Sequence, residues 1–317
     1  MKNRKLTGNL ILIFTAAIWG MGFAWQRMGM EDIGPVTFTA AREIISAVFI
    51  GFIAVILRTV KKAEKNGTDK TDSAATLKGG VCCGCFLVAA TLFQQMGIVY
   101  TSAGKAGFIT AMYMLFVPII SFVLFKKRNP WLVWLAVVIG VVGMYLLCVN
   151  ERLSFTKGDL MMLVCALLYS CHILCCDHFA KAGDPITISA IQFAAASVIS
   201  TVLAFIVENP SKEAVIAAIA PILYCGFVSG GMGYTSQMIG QKYADPAPAS
   251  IIMSFEAVFA VLGGVVMLHE RMTLRESIGS VIMLVAIILV QIVPAMEDRK
   301  NRTDQNTPDM FRMKEEI

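Results

Sequence analysis

Residues 106–125 read AGFITAMYMLFVPIISFVLF, an apolar run that contains no charged side chain. An α-helix rises about 1.5 Å per residue, so a run of this length crosses the hydrocarbon core of a bilayer, which is about 30 Å thick. A helix also satisfies its own backbone hydrogen bonds, which lipid cannot do for it. The stretch therefore predicts a membrane-spanning helix.

The composition of the whole chain has the same character. Of its 317 residues, 57% are apolar and only 15% are charged, and the mean hydropathy is +0.70. A soluble domain carries about 25% charged residues, and a single water-facing fold would expose large apolar patches with this composition. Composition thus excludes an ordinary soluble enzyme and a disordered chain, and it predicts an all-α integral membrane protein.

Ten charge-poor windows follow one another along the chain. Charges interrupt only two of them, as Arg42 and Glu43 in the second and as Glu256 in the ninth. The predicted spans are Leu6–Gln26, Thr37–Leu57, Gly79–Tyr100, Ala106–Phe125, Trp131–Val149, Leu160–Cys176, Ile186–Val207, one within Ala214–Gln241, Ala247–Leu268 and Ser277–Met296. Residues 58–78 are predicted as a polar cytoplasmic linker, and residues 297–317 as a flexible cytoplasmic tail.

Basic residues set the predicted orientation. With the N-terminus in the cytoplasm, 19 of the 27 Lys and Arg residues fall in cytoplasmic segments and 7 in external ones. This excess predicts a multi-pass protein of the plasma membrane with both termini in the cytoplasm. The net charge of +5 belongs to these loops. No basic face with interleaved aromatic residues predicts a nucleic-acid partner.

The two halves of the chain resemble each other. Offsets of 150 and, further along, 143 residues align Gly8 with Gly158, Trp19 with Tyr169, Gly97 with Gly240 and Tyr100 with Tyr243. Each half holds five predicted spans, and five is odd, so the halves must cross the membrane in opposite directions. The sequence therefore predicts two inverted five-helix repeats, residues 1–150 and 151–296, an arrangement typical of secondary transporters.

Several motifs resemble those of the EamA family of the drug/metabolite transporter superfamily. They are Trp19-Gly20, Ala41-Arg42, the stretch YTSAGKAGFIT at residues 100–110, and SFEAVF at residues 254–259 followed by Glu270-Arg271. Ala257 stands where the family usually has proline, and His269 where it usually has glycine. The resemblance covers residues 6–295. It implies a ten-helix fold that carries small organic solutes, often by exporting amino acids or metabolites.

Polar and aromatic residues at mid-depth form the predicted binding site. The repeat places them near the midplane, where a transporter of this architecture binds its solute. The predicted substrate-binding residues are Trp19, Tyr113, Tyr169, His172 and Glu256. Glu256 is predicted to be the only acid deep in any span, where a charge costs about 2.5–3.5 kcal/mol to insert. It is expected to bind a proton or a substrate amine, with a helix-packing hydrogen bond as the alternative.

Three further polar residues are predicted to serve entry or gating, namely Arg42, Gln95 and Gln237. Arg42 lies near the external end of its span and is expected either to attract a substrate carboxylate or to snorkel toward headgroups. Gln95 and Gln237 lie near span ends, where interhelical hydrogen bonds are the alternative explanation.

The nine cysteines all lie in apolar stretches, which does not indicate a disulfide framework. Cys171, His172, Cys175 and Cys176 share helix spacing that would suit a soft metal, but no second ligand pair is evident, so the sequence predicts no metal and no cofactor.

The function predicted from these features is secondary transport of a small molecule across the lipid bilayer. The midplane aromatic residues, and an acid without a nearby deep cation, favour an amino acid or related metabolite, exported by alternating access. A membrane-embedded enzyme and a non-transporting scaffold are the alternatives. The sequence leaves open the solute, the direction, the coupling ion, with the proton as one candidate, and the oligomeric state, with a homodimer as one candidate.

Overall fold

In a computed structural model of the chain, the described residues are 2–31, 33–63, 72–100, 103–148, 156–267, 273–275, 277–286 and 288–289. Across these ranges the chain is helical and contains no β-strand. The helices are α1 (Lys2–Gly29), α2 (Pro35–Ala63), α3 (Ser73–Tyr100), α4 (Ala103–Ala111), α5 (Tyr113–Phe125), α6 (Trp131–Cys148), α7 (Lys157–Ala182), α8 (Pro185–Val207), α9 (Lys212–Ala217), α10 (Ile219–Leu223), a π-helix (Tyr224–Tyr234), α11 (Thr235–Gln241), α12 (Pro246–Met253), α13 (Glu256–Met267) and α14 (Ser277–Ala286).

Six helical segments are long and apolar enough to cross a membrane. They lie in α1, α2, α3, α7, α8 and the α12–α13 unit. The segments Ile109–Phe125, Trp131–Gly143 and Ser277–Ala286 are shorter apolar helices. The prediction of an all-α membrane protein is therefore confirmed, whereas the count of ten spans stays a prediction.

The outward faces of α2 and α8 are apolar. Phe52 of α2 and Phe205 and Ile206 of α8 leave 66%, 69% and 72% of their surface uncovered. Soluble proteins rarely expose contiguous apolar surface on this scale. These faces are suited to contact with lipid tails.

Two predicted spans, one in each half, are interrupted rather than continuous. The fourth is interrupted at Met112, between α4 and α5, and the ninth at Ser254 and Phe255, between α12 and α13. Met112 and Phe255 are separated by 143 residues, the offset that relates the two halves. The interruptions thus occupy the same place in each repeat.

Helices extend into the predicted linker at residues 58–78 from both sides. The helix α2 continues to Ala63 and α3 begins at Ser73, and residues 64–71 lie outside the described ranges. Asp72 starts α3 because its carboxylate accepts a hydrogen bond from the backbone nitrogen of Ala74, as an N-terminal capping side chain does. The predicted tail at residues 297–317 lies outside the described residues.

Two close helix crossings display the repeat in three dimensions. A Cβ atom added to Gly8 would lie 2.9 Å from the carbonyl oxygen of Gly240, and one added to Gly158 would lie 2.8 Å from that of Gly97. These are the residues that the two offsets align. Only glycine permits backbones to approach so closely, and as a result α1 crosses α11 as α7 crosses α3.

The π-helix accommodates an extra residue in the second half. A Cβ on Gly84 would lie 2.8 Å from the carbonyl oxygen of Gln192, and one on Gly226 would lie 3.0 Å from that of Arg42. Gly84 and Gly226 thus occupy equivalent crossings with an offset of 142, one less than at the crossings described above. A single inserted residue between these points accounts for the difference, since a π-helix contains more residues per turn than an α-helix.

Candidate functional site

Helices from both halves line a cavity whose empty space, part of it open to solvent, is about 430 Å³. Its lining residues combine aromatic rings, amides, hydroxyls, one carboxyl and one guanidinium; they are Trp19, Phe23, Gln26, Arg42, Gln94, Thr110, Tyr113, Tyr169, Ile173, Ser229, Tyr234, Gln237 and Glu256.

The structure brings most of the predicted site residues to this cavity. Six of the eight predicted residues line it, namely Trp19, Arg42, Tyr113, Tyr169, Gln237 and Glu256. His172 and Gln95 are not among the lining residues. The structure thereby places two residues predicted for gating, Arg42 and Gln237, beside the residues predicted for binding.

Glu256 and Tyr113 each begin a helix directly after an interruption. Glu256 is the first residue of α13 and is 3% exposed, and Tyr113 is the first residue of α5 and is 2% exposed. Their side chains face each other. The hydroxyl of Tyr113 and Oε1 of Glu256 are buried, and neither makes a hydrogen bond of standard geometry. Unsatisfied buried polar atoms are costly, so this pair of groups is a candidate for contact with a ligand.

Arg42 is enclosed in the protein rather than directed at headgroups. Its side chain is 7% exposed, and its Cζ atom lies 6.0 Å from the centre of the Phe38 ring. One of its nitrogens, Nη2, is buried without a hydrogen-bond partner. The snorkelling alternative for Arg42 is therefore wrong. Arg42 and Glu256 both line the cavity.

Aromatic side chains form one wall of the cavity. The rings of Trp19 and Tyr234 lie 4.6 Å apart, and the hydroxyls of Tyr234 and Tyr169 share a hydrogen bond of 2.8 Å. The indole nitrogen of Trp19 donates to the carbonyl oxygen of Ser229 at 3.3 Å. These contacts fix the orientation of the rings, which leaves their faces to contact an apolar part of a solute.

Tyr234 lines the cavity but was not among the site residues predicted from the sequence. It is the last residue of the π-helix, and the extra residue in that helix shifts its register relative to the matching helix of the first half. Its polar aromatic character within a predicted span was the only available signal. The other lining residues absent from the prediction include Gln26, Gln94, Thr110 and Ser229, none of which carries a charge.

A smaller cavity of about 210 Å³ adjoins the first through Arg42, Ser229 and Tyr234, which line both. It also contains Glu43, which is 1% exposed and accepts a 2.9 Å hydrogen bond from the hydroxyl of Thr91. Glu43 is thus a second acid that is buried within a predicted span.

His172 and Gln95 make contacts elsewhere. The Nε2 atom of His172 lies 3.0 Å from Oε1 of Gln192, and the side chain is fully buried. The amide nitrogen of Gln95 lies 2.8 Å from the sulfur of Met30. The contact of His172 joins α7 to α8, and that of Gln95 joins α3 to the turn that follows α1. Gln237 differs, because both polar atoms of its amide are buried without a partner beside the cavity.

Comparisons with known proteins agree with this architecture. An uncharacterized transporter of Archaeoglobus fulgidus is 28% identical over 91% of this chain and 87% of its own length. The uncharacterized transporter YoaV of Bacillus subtilis is 25% identical over 88% of this chain and 94% of its own length. One solved crystal structure shares the fold with a TM-score of 0.72 at 17% identity, over 90% of this chain and 99% of that one.

A family model matches each half of the sequence separately. The matched residues are 6–149 and 156–292, and the model is that of the EamA-like transporter family. The resemblance seen in the sequence is thereby confirmed over both repeats. This protein is a multi-pass membrane protein, and it belongs to the EamA-like transporter family.

Proposed function

We propose that this transporter carries an amino acid, or a closely related metabolite with an amine and a carboxylate, across the plasma membrane. The observation that carries the proposal is that a buried carboxyl, Glu256, and a buried guanidinium, Arg42, line one cavity. A zwitterion offers the opposite charge to each of them. Glu256 is not expected to stay charged at this depth without such a partner, since an isolated charge is costly there, and Arg42, which always carries its charge, gains a counter-charge from the solute.

Each end of such a solute has a matching group. Glu256 binds the ammonium group, and Arg42 binds the carboxylate through a pair of charge-assisted hydrogen bonds, the geometry for which a guanidinium is suited. Nη2 of Arg42 and Oε1 of Glu256 are both buried and make no hydrogen bond of standard geometry, as this arrangement requires. The rings of Trp19 and Tyr234 contact the side chain of the solute, which favours an apolar or aromatic one.

The same carboxyl provides a means of proton coupling. Glu256 binds either a proton or the ammonium group of the solute, because the two compete for one carboxylate. A proton that arrives from outside then displaces the solute when the cavity faces outward, and this exchange couples proton entry to solute export. Alternating access in inverted repeats moves one half against the other around such a site.

The proposed orientation keeps both termini in the cytoplasm. Lys127 pairs with Asp245 at 3.1 Å, and Lys5 and Lys181 lie close enough to act on the same carboxylate. All four residues belong to segments that the distribution of basic residues assigns to the cytoplasm. Their clustering at one end of the molecule supports this proposal.

The proposal is tested by uptake into proteoliposomes. Purified protein is reconstituted and offered a pool of labelled amino acids and amine metabolites, with and without an imposed pH gradient. We expect gradient-driven accumulation of a zwitterionic solute by the wild type and its loss in Glu256→Gln. The matched control is Glu43→Gln, a second buried carboxyl that does not line the larger cavity and that we expect to retain transport.

Three outcomes would contradict parts of the proposal. Accumulation that survives Glu256→Gln would remove this residue from coupling. Accumulation that ignores the pH gradient would exclude the proton as coupling ion. If folded protein accumulates nothing from the pool, the assignment of amino acids and amines as its solutes fails.

A further inference from the structure

A cluster of thiols and an imidazole lies between α3 and α7, outside the cavity lining. It consists of Cys83, His172 and Cys176, all of which are 0% exposed. The ligating atoms of the three side chains lie within 4.8 Å of one another. The cluster joins the two halves of the protein, because α3 belongs to the first and α7 to the second.

The sequence did not reveal this cluster because its members come from distant segments. His172 and Cys176 share one face of α7 through their i, i+4 spacing, and Cys83 reaches them from α3. A second contact of the same kind lies one residue earlier, where the sulfurs of Cys82 and Cys175 are 3.6 Å apart. The fold therefore brings cysteines of α3 beside those of α7, and these are the second pair of possible ligands that was not evident in the sequence.

The two shortest kinds of contact in the cluster, sulfur to sulfur and sulfur to nitrogen, match the separations between ligands of one metal ion. Metal–sulfur bonds near 2.3 Å and metal–nitrogen bonds near 2.0 Å separate two sulfurs by about 3.8–4.0 Å, and a sulfur from a nitrogen by about 3.5–3.7 Å. The sulfurs of Cys83 and Cys176 are 3.9 Å apart. The sulfur of Cys176 lies 3.8 Å from Nδ1 and 3.5 Å from Nε2 of His172.

The surroundings of His172 are those of a metal ligand. When the Nδ1 atom of a histidine binds a metal, the other ring nitrogen carries hydrogen and donates it to a neighbouring oxygen. Here Nε2 lies 3.0 Å from Oε1 of Gln192, which can accept that hydrogen bond. In the tautomer in which Nε2 donates this hydrogen bond, Nδ1 carries no proton and is free to bind a metal beside the two thiols.

We propose that Cys83, Cys176 and Nδ1 of His172 bind one thiophilic metal ion of the type of Zn²⁺ or Cu⁺. Thiolate and imidazole ligands suit both ions, and each thiol releases its proton when the metal binds. Three ligands complete the coordination of Cu⁺, whereas Zn²⁺ keeps a fourth position for another ligand. A bound ion would fasten α3 to α7 beside the cavity, since the ring of His172 lies 5.8 Å from that of Tyr234.

The test measures bound metal in the full chain, reconstituted in nanodiscs with a reductant that contains no thiol. Samples are loaded separately with Zn²⁺ and Cu⁺, freed of excess metal, and analysed for metal content per chain. We expect about one ion per chain for the wild type, and roughly tenfold less or lower for Cys83→Ala and Cys176→Ala. Cys85→Ala is the matched control, because Cys85 is on the same helix but exposed. It should bind as the wild type does.

A second measurement needs no variant and so does not depend on how well the variants fold. X-ray absorption of the loaded wild type should show two sulfurs and at least one nitrogen around the metal. The loading experiment shows which of the two ions is retained. The proposal is overturned if neither ion is retained, if Cys85→Ala loses as much metal as Cys83→Ala, or if the metal has only oxygen and nitrogen neighbours.

Discussion

Tyr113 and Glu256 face each other as the first residues of two helices that occupy the same place in the two repeats. An offset of 143 residues relates them, as it relates the interruptions that precede them. The duplication therefore places two equivalent positions opposite each other, with a phenol at one and a carboxyl at the other. Because only one of the two is an acid, the pair suits the proposed exchange of one proton for one ammonium group.

Substitution of Arg42 should affect only solutes that carry a carboxylate. We expect Arg42→Gln to weaken transport of an amino acid about 10- to 100-fold, since hydrogen bonds to charged groups are worth about 1.5–3 kcal/mol. The corresponding amino acid amide has no carboxylate, so its transport should change little between wild type and variant. Competition assays in proteoliposomes measure both effects. Equal losses for the two solutes would show that Arg42 does not bind the carboxylate.

The hydrogen bond between Tyr169 and Tyr234 should make their variants interdependent. Removal of either hydroxyl breaks the same 2.8 Å contact, so Tyr169→Phe and Tyr234→Phe should each cost about 1 kcal/mol of stability. The double variant should cost less than the sum of the two, by a coupling energy of about 0.5 kcal/mol or more. Unfolding in detergent measures all four proteins, and strictly additive losses would contradict the contact.

Gly20 should not tolerate a methyl group. A Cβ atom there would lie 2.5 Å from the carbonyl oxygen of Glu256 and would also overlap the Cβ of Phe259. Gly20→Ala should therefore separate α1 from α13 and lower stability by about 1–3 kcal/mol. Gly51→Ala is the matched control, because a Cβ there meets nothing within 4 Å. It should be neutral or slightly stabilising, and equal melting temperatures for the two variants would refute the close approach.

The ion pair between Lys127 and Asp245 should give a small stabilisation that acid removes. Burial acts to raise the pKa of Asp245, but Lys127, with Lys5 and Lys181, outweighs it and lowers the pKa. The stabilisation is therefore present above the unfolded pKa of about 3.9 and is lost as the pH falls through the lower folded value. It should not exceed about 1 kcal/mol, because the side chains are 42% and 52% exposed.

Melting temperatures of wild type and Lys127→Met, measured from neutral pH down to about pH 3, test this expectation. The wild type should melt higher at neutral pH, and its advantage should shrink in acid. An advantage of the wild type that grows in acid would contradict the sign of the effect.

The membrane class and the repeat could be predicted because both depend on the order of apolar, charged and small residues along the chain. Neither depends on how the side chains pack. Charge-poor windows mark helices in lipid whatever their packing. The pairing of Gly8 with Gly158 could be predicted because both positions require the same small residue. The interruption before Tyr113 could not, because no glycine or proline marks Met112, whereas Pro118 lies inside α5 without ending it.

The candidate site was predicted in part for a similar reason. Trp19 and Glu256 are conspicuous in apolar spans, and the repeat indicated their depth. The distance of Arg42 from the span end suggested an external location, but the direction of its side chain depends on how α2 packs against the π-helix. His172 was predicted to belong to the site because of its depth alone. Its contact with Gln192 of α8 could not be predicted, because the sequence does not specify how α8 is rotated about its axis.

The extra residue of the π-helix makes the two halves unequal in a way that bears on transport kinetics. In a carrier built from identical inverted halves, the outward-facing and inward-facing states would mirror each other and would bind the solute equally well. Here the insertion brings Tyr234 to the cavity from one half only. Under the proposed alternating access, the solute meets different walls in the two states, so its apparent affinity is expected to differ between the two sides of the membrane while the overall equilibrium stays set by the gradients alone.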